Sequence, residues 1–340
     1  MYFGLPDVDA KSYELEIEGI PGFSDPKVLT LDYLKKFPKV SVTAAIQCGG
    51  NRRSEMNAVR GLKGLNWQGG AIGNATWSGA RLTDVLEAAG VNLQRIASEG
   101  RLKHVHFEGY DLGSDGSPYG ASVPIEKAVN PYQDVILAYE MNGETLPRDH
   151  GYPVRVIVPG VVGARNVKWL NRIVLSEVES DSHWQQSDYK GFNPSVTWDN
   201  VQWDKSPAIQ AMPVTSAICS PEPETAVTPG SKLRLKGYAW SGGGNRIVRV
   251  DLTADGGKTW FEAEITAQDA TPEPHHYGWS LWEAEVKVPE GVSEVTVAAK
   301  AVDSNYNVQP ESFENIWNLR GLLSNAYSRR TFKVRETTGK

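Results

Sequence analysis

The sequence predicts an α+β domain followed by an all-β, immunoglobulin-like sandwich, and three observations carry that prediction. Residues 1–205 mix short β-rich runs with helical patches and long glycine-rich loops. After Ser206-Pro207 helical periodicity stops, and strand-like alternation recurs in short runs separated by turn residues. Pro207, Pro213, Pro221, Pro223 and Pro229 crowd the junction, so the domains are set at 1–205 and 206–340.

In the first domain, Tyr13-Glu-Leu-Glu-Ile, Val40-Ser-Val-Thr-Ala-Ala-Ile and Val154-Arg-Val-Ile-Val read as strands. Arg81-Leu-Thr-Asp-Val-Leu-Glu-Ala-Ala-Gly reads as a helix: Leu82, Val85, Leu86 and Ala89 share one face, and Gly90 supplies the stop. In the second domain Lys232-Leu-Arg-Leu-Lys and Ile247-Val-Arg-Val-Asp-Leu-Thr alternate. Asp255-Gly256-Gly257 supplies a hairpin turn before Trp260-Phe-Glu-Ala-Glu-Ile. Glu283-Ala-Glu-Val-Lys-Val and Glu294-Val-Thr-Val-Ala-Ala-Lys-Ala-Val add two more strands.

Hydrophobic residues make up 40% of the 340 and charged residues 22%, a globular composition. Lys+Arg 35 against Asp+Glu 41 leaves a net charge of -6, without a cationic tail or helix, which argues against nucleic-acid and anionic-membrane partners. The longest apolar run, Val156 to Ala164, is broken by Pro159 and glycines and is too short for membrane insertion. The start, Met1-Tyr-Phe-Gly-Leu-Pro, lacks the pattern of a secretory or mitochondrial presequence. Two cysteines, Cys48 and Cys219, make no disulfide framework and point to a reducing compartment or at least to free thiols. The expectation is an intracellular, soluble protein, with the compartment left open among the mitochondrial intermembrane space, peroxisome and cytosol. Trp, at 11, outnumbers Phe, at 8, and such amphipathic rings shape pockets as well as cores.

Chemistry concentrates in a few loops. Cys48 opens Cys48-Gly-Gly-Asn-Arg-Arg-Ser-Glu, where two glycines free the backbone and two arginines favour the thiolate, the form that attacks electrophiles or ligates metals. A buried structural cysteine before a turn fits the same residues. No Cys-x-x-Cys or His-x-x-x-His pair exists, so a structural zinc site is not expected, while a cofactor metal with one protein ligand is compatible. Arg52, Arg53, Lys63, Arg155, Arg165, Lys168 and Arg320 sit in glycine-rich or aromatic loops, and a guanidinium fork there suits oxyanions or phosphates. Each alone reads more often as a surface ion pair; together they suggest an anionic ligand without naming it. His150, in Arg148-Asp149-His150-Gly151, fits a base, a cofactor contact or a turn-stabilising imidazole, with the residues alone favouring the last. His275-His276 lies in a proline-rich insertion and is expected to be solvated.

These loops resemble the sulfite oxidase family of molybdenum-cofactor enzymes. The resemblance is carried by Ile46-Gln-Cys-Gly-Gly-Asn-Arg-Arg-Ser-Glu-Met, Tyr119-Gly-Ala-Ser, Ala138-Tyr-Glu-Met-Asn-Gly-Glu-Thr-Leu-Pro-Arg-Asp-His-Gly and Val158-Pro-Gly-Val-Val-Gly-Ala-Arg-Asn-Val-Lys-Trp-Leu. Asp188-Tyr-Lys-Gly-Phe, Lys236-Gly-Tyr-Ala-Trp-Ser-Gly-Gly-Gly, Tyr306-Asn-Val-Gln-Pro and Trp317-Asn-Leu-Arg-Gly follow in order, so it spans nearly the whole chain.

The resemblance implies a molybdopterin-binding domain and a dimerisation domain, giving a homodimer. It implies that Cys48 ligates the molybdenum of a molybdenum-molybdopterin cofactor. Asp111, His150, Arg155, Asn166, Val167 and Lys168 would hold the pterin and its phosphate, and Arg53, Lys63, Trp67, Tyr189 and Arg320 would receive the oxyanion. The implied reaction is oxidation of sulfite to sulfate by oxo transfer, with electrons passing to an external acceptor, a cytochrome or dioxygen. The molybdenum domain of a nitrate reductase is the alternative enzyme; Asn51-Arg-Arg-Ser-Glu-Met and Asp188-Tyr-Lys-Gly-Phe-Asn-Pro resemble the sulfite branch. A cofactor-free binding protein is the non-enzymatic alternative. The sequence departs from the family pattern where Met1-Tyr2-Phe3-Gly4 stands in place of Arg-Asn-His-Gly, where the loop reads Cys-Gly-Gly rather than Cys-Ala-Gly, and in lacking a haem-binding module.

Overall fold

A computed structural model describes residues 5–223 and 225–335; the Met1-Tyr2-Phe3-Gly4 departure lies outside the described residues. The chain forms two compact units. One contains residues up to Gly49 with Asn74–Gly191 and Val201–Ala211; the other contains Gly50–Gly73, Phe192–Asn200 and the chain from Met212 onward. Two stretches of the N-terminal half thus belong to the C-terminal unit. No helix among the described residues is long and apolar enough to cross a membrane.

The first unit is built on two sheets. One has strand order Lys27–Thr30, Glu14–Glu18, Leu170–Ser176, His104–Leu112, Pro118–Pro124. Alternation fixes its faces: Tyr13, Leu15 and Ile17 are buried while Glu14 and Glu18 reach outward. Glu14–Glu18 pairs in parallel with Leu170–Ser176, and Arg172 there donates to Glu108 at 2.6 and 2.9 Å. The second sheet orders Lys39–Gln47, Ile72–Arg81, Ile136–Met141 and Glu144–Thr145, with Arg155–Ile157 pairing onto Ile136–Met141. Its first strand delivers Cys48 and its last begins at Arg155. The expected helix spans Leu82–Ala88, buries Leu82, Val85 and Leu86 completely, and stops where Gly90 takes φ +99.

The second unit is a sandwich of two four-stranded sheets. One orders Thr215–Ser220, Lys232–Trp240, Ser280–Lys287, Glu264–Gln268; the other orders Phe261–Glu262, Ile247–Thr253, Glu294–Asp303, Ser328–Lys333. Leu233, Leu235, Trp282, Val250, Leu252, Val297 and Phe332 form one core between them. The hairpin turn lies where expected: the Thr253 hydroxyl accepts from Gly257 N at 2.9 Å, and Asp255 accepts from Thr259 N at 3.0 Å. The insertion carrying His275-His276 corrects the sequence reading. His276 is buried, its backbone N–H donating to Gly244 O at 3.1 Å and Nδ1 lying 3.2 Å from Thr271 O. Gly244, at φ +76, makes this possible, because a Cβ there would overlap Pro274 O.

Candidate functional site

In the first unit the residues expected to hold a cofactor converge through backbone carbonyls. Buried Arg155 donates from Nη1 to His150 O and from Nη2 to Asn166 O, both at 3.0 Å, and its guanidinium lies 4.8 Å from the Trp77 ring centroid. Asn166 is fixed in turn: Oδ1 accepts from Val158 N at 2.7 Å and Nδ2 donates to Val162 O at 3.3 Å. The neighbouring turn Gly163–Arg165 abuts the strand leading to Cys48, since a Cβ on Gly163 would lie 2.9 Å from Gln47 O and 3.2 Å from Ile46 Cγ2. Cys48 itself is half-buried. Val167 is buried, and Lys168 Nζ donates to Asp149 O at 2.8 Å beside the Trp169 ring. A Cβ on Gly151 would meet the Cβ atoms of Lys168 and Arg155 at 3.0 and 3.1 Å, so this turn closes only with glycine. A Cβ on Gly109 would overlap Asp111 Oδ1 and approach Lys168 O, which sets Asp111 beside the same stretch.

Burial dominates the electrostatics of this cluster. Burial pushes the Asp111 carboxyl up to about 6, opposed by the positive charge of Lys168. Burial alone pushes Arg155 down to about 9, and burial, followed by Arg155, lowers Lys168. Neither Arg155 nor Arg165 forms a carboxylate ion pair among the described residues. Asp111 Oδ1, Arg155 Nε and Gln47 Oε1 are buried without a hydrogen-bond partner there. Buried polar groups are costly unless satisfied, so cations and acceptors left in this state suit a polar, anionic group bound among them. No cluster of three His, Cys, Asp or Glu residues among the described ones can hold a metal, so a metal at Cys48 would take its other ligands from such a group.

The second unit gathers most of the residues expected around an oxyanion. Arg53, at the start of the helix Arg53–Val59, is 9% exposed; Nε donates to Arg320 O at 3.1 Å and Gly321 O at 3.2 Å, and Nη1 to Leu65 O at 2.8 Å. Three glycines give it room: a Cβ would lie 2.6 Å from Nη2 at Gly50, 3.0 Å from Nη1 at Gly64 and 2.7 Å from Cγ at Gly321. Asn318 closes the turn that presents Arg320, accepting from Leu322 N at 3.1 Å and donating to Leu322 O at 2.8 Å. Trp198 joins the set: Lys63 Nζ lies 4.8 Å and the Arg320 guanidinium 5.8 Å from its ring centroid. Trp67 is 44% exposed and anchors through its backbone, its carbonyl accepting from Ser54 N at 3.0 Å. Tyr189 belongs to the first unit, where the Arg165 guanidinium lies 5.8 Å from its ring centroid.

Arg52 separates from its neighbour. It is fully buried, adopts φ 64, binds Glu55 with two bonds of 2.7 and 2.6 Å, and donates to Ser216 O, Ala326 O and Tyr327 O. It is an internal strut of the second unit. Asn51 assists, donating to the Tyr238 hydroxyl, which itself donates to Gly69 O at 2.8 Å. Sequence reasoning missed Trp77 and Trp198, the rings beneath the cations, although the high Trp count was their signal.

Two family models match the chain: the oxidoreductase molybdopterin binding domain over residues 2–184, and the Mo-co oxidoreductase dimerisation domain over residues 206–335. Mitochondrial sulfite oxidase of Drosophila melanogaster is 59% identical over 336 residues, 97% of this chain and 57% of that protein. An NADH nitrate reductase of Brassica napus is 38% identical, over 96% of this chain and 36% of that protein. The chain therefore spans little more than half the length of the first of these relatives. Among solved structures, the sulfane dehydrogenase SoxCD from Paracoccus pantotrophus superimposes with a TM-score of 0.76 at 28% identity, covering 98% of this chain and 80% of that one.

Proposed function

The chain belongs to the sulfite oxidase family of molybdopterin-binding oxidoreductases, and from that premise we propose that it oxidises sulfite to sulfate. The observation that carries the proposal is the buried polar cluster around Arg155 and Asp111, whose unpartnered donor at Arg155 Nε and unpartnered acceptors at Asp111 Oδ1 and Gln47 Oε1 suit a group carrying both an anion and N–H donors, in a domain of the molybdopterin-binding class. When bound, the molybdenum–pterin group supplies the redox couple and the transferable oxygen. The protein's part is to hold and to charge the site.

In this reading the Cys48 thiolate ligates molybdenum. Arg155 and Lys168 neutralise the pterin phosphate, while His150, Asn166 and Val167 shape the turn around it. Asp111 Oδ1, an acceptor without a donor among the described residues, takes a pterin N–H. Arg53, Lys63, Trp67, Tyr189 and Arg320 bind and orient the oxyanion, guanidinium forks matching its oxygens. The acceptor of the electrons is external, a cytochrome or dioxygen, and the functional boundary lies near residue 205. By analogy with the name of the Drosophila relative, the compartment is mitochondrial, with the intermembrane space as the part of it expected from the sequence and peroxisome and cytosol as alternatives.

The nitrate-reducing alternative is weaker, since the nitrate reductase matches at 38% identity against 59% for the sulfite oxidase. Paired assays decide between them: sulfite with ferricyanide as acceptor, and nitrate with reduced methyl viologen as donor. Sulfite turnover well above nitrate turnover is expected, and the reverse order would overturn the proposal.

A further inference from the structure

Tyr189 is held in place by buried polar groups of the first unit. It follows the π-helical turn Trp184–Asp188, a rare geometry frequent at functional sites. Beneath that turn, Arg165 is fully buried and donates from Nη1 to Trp184 O at 3.0 Å and from Nε to Ile209 O at 3.2 Å. Ile209 N donates to Tyr189 O at 2.7 Å, so one guanidinium clamps both the entry to the turn and the irregular segment that binds its exit. A chain of buried side chains continues the clamp. Ser122 N donates to Gln185 Oε1 at 3.0 Å, Ser180 N to Ser122 Oγ at 3.0 Å, and Ser182 N to Ser180 Oγ at 3.2 Å. Gln210 Nε2 donates to Ser122 O at 3.0 Å.

A buried guanidinium without a carboxylate is a poor stabiliser, because its desolvation exceeds what two neutral carbonyls return. Apolar packing of the same volume would hold a turn together at lower cost, though without fixing its register. We propose that Arg165 is a positioning residue that sets the place of the Tyr189 side chain in the sulfite reaction; this rests on the reading of Tyr189 as an oxyanion ligand given above. Its fixed fork spans two carbonyls that a lysine ammonium on a flexible stem cannot hold in one geometry.

The test is a double-mutant cycle on the cofactor-loaded protein, with rates per bound molybdenum, ferricyanide as acceptor, and melting temperature recorded for every variant. Arg165→Lys is expected to lower kcat/KM for sulfite roughly ten- to a hundredfold, mainly through KM, as displacement of a binding group does. In a Tyr189→Phe background the same change is expected to have little further effect. Equal losses in both backgrounds, or no loss in the first, would overturn the inference, because a merely structural arginine lowers melting temperature without this coupling. If Arg165→Lys does not fold, Ser180→Ala replaces it, removing the acceptor of Ser182 N, with the same pattern expected and the same results overturning it. If Tyr189→Phe alone leaves sulfite kinetics unchanged, the oxyanion reading of Tyr189 fails and this inference falls with it.

Discussion

At the level of one residue, Asp111 is a buried carboxyl whose Oδ1 has no hydrogen-bond partner among the described residues. Its carboxyl, raised to about 6 by burial, is protonated in the folded chain at a pH where the unfolded chain has already ionised. The folded state then binds more protons than the unfolded state between about pH 4 and 6, so stability falls as pH rises through that window. Asp111→Asn should flatten this decline in cofactor-free protein, measured as melting temperature against pH, and should weaken retention of the pterin. At Cys48, replacement by Ser should abolish sulfite turnover with the fold intact, because a hydroxyl is a harder, less donating ligand. Full activity in a metal-loaded Ser variant would remove the assignment. Cys219 lies exposed at the end of the strand Thr215–Ser220, and its replacement by Ala should leave turnover within a few fold.

Among the elements, the loops around Arg53 are where backbone freedom makes room for a side chain proposed to bind the oxyanion. Gly64, at φ +137, is a conformation that side chains rarely adopt, and a Cβ there would press on the Arg53 guanidinium at 3.0 Å. Gly64→Ala should therefore raise the sulfite KM with little change in kcat, measured by steady-state kinetics. Arg53→Gln or Arg320→Gln should raise it further. Loss of a charged hydrogen bond costs roughly 1.5–3 kcal/mol, about one to two powers of ten in binding. The strands and the helix Leu82–Ala88 were legible in the sequence because alternation and helical spacing are local signals. Arg52 and Arg53 were not distinguishable, since what separates them is a set of carbonyls more than 160 residues away, at Ser216, Ala326, Arg320 and Gly321. His276 was misread for a related reason: a proline-rich insertion carries no sign that it will fold back over Gly244.

For the whole molecule, the stretch Gly50–Gly73 belongs to the C-terminal unit although it follows Cys48 almost directly. A chain ending at residue 205 would strip Arg52 of its acceptors at Ser216, Ala326 and Tyr327 and of the unit that buries it, leaving only Glu55 to fix the guanidinium. Such a chain should lose sulfite turnover, and full-rate oxidation by it would contradict this. A match to a dimerisation domain over residues 206–335 leads us to expect a two-fold homodimer through that region, with a mass in sedimentation about twice 37.3 kDa. The most direct test of the central claim is the molybdenum content of the purified chain, made in a host that supplies the pterin and measured by mass spectrometry. One thiolate ligand at Cys48 predicts a content close to one molybdenum per chain, with pterin released on denaturation; a content near zero in folded protein would contradict it.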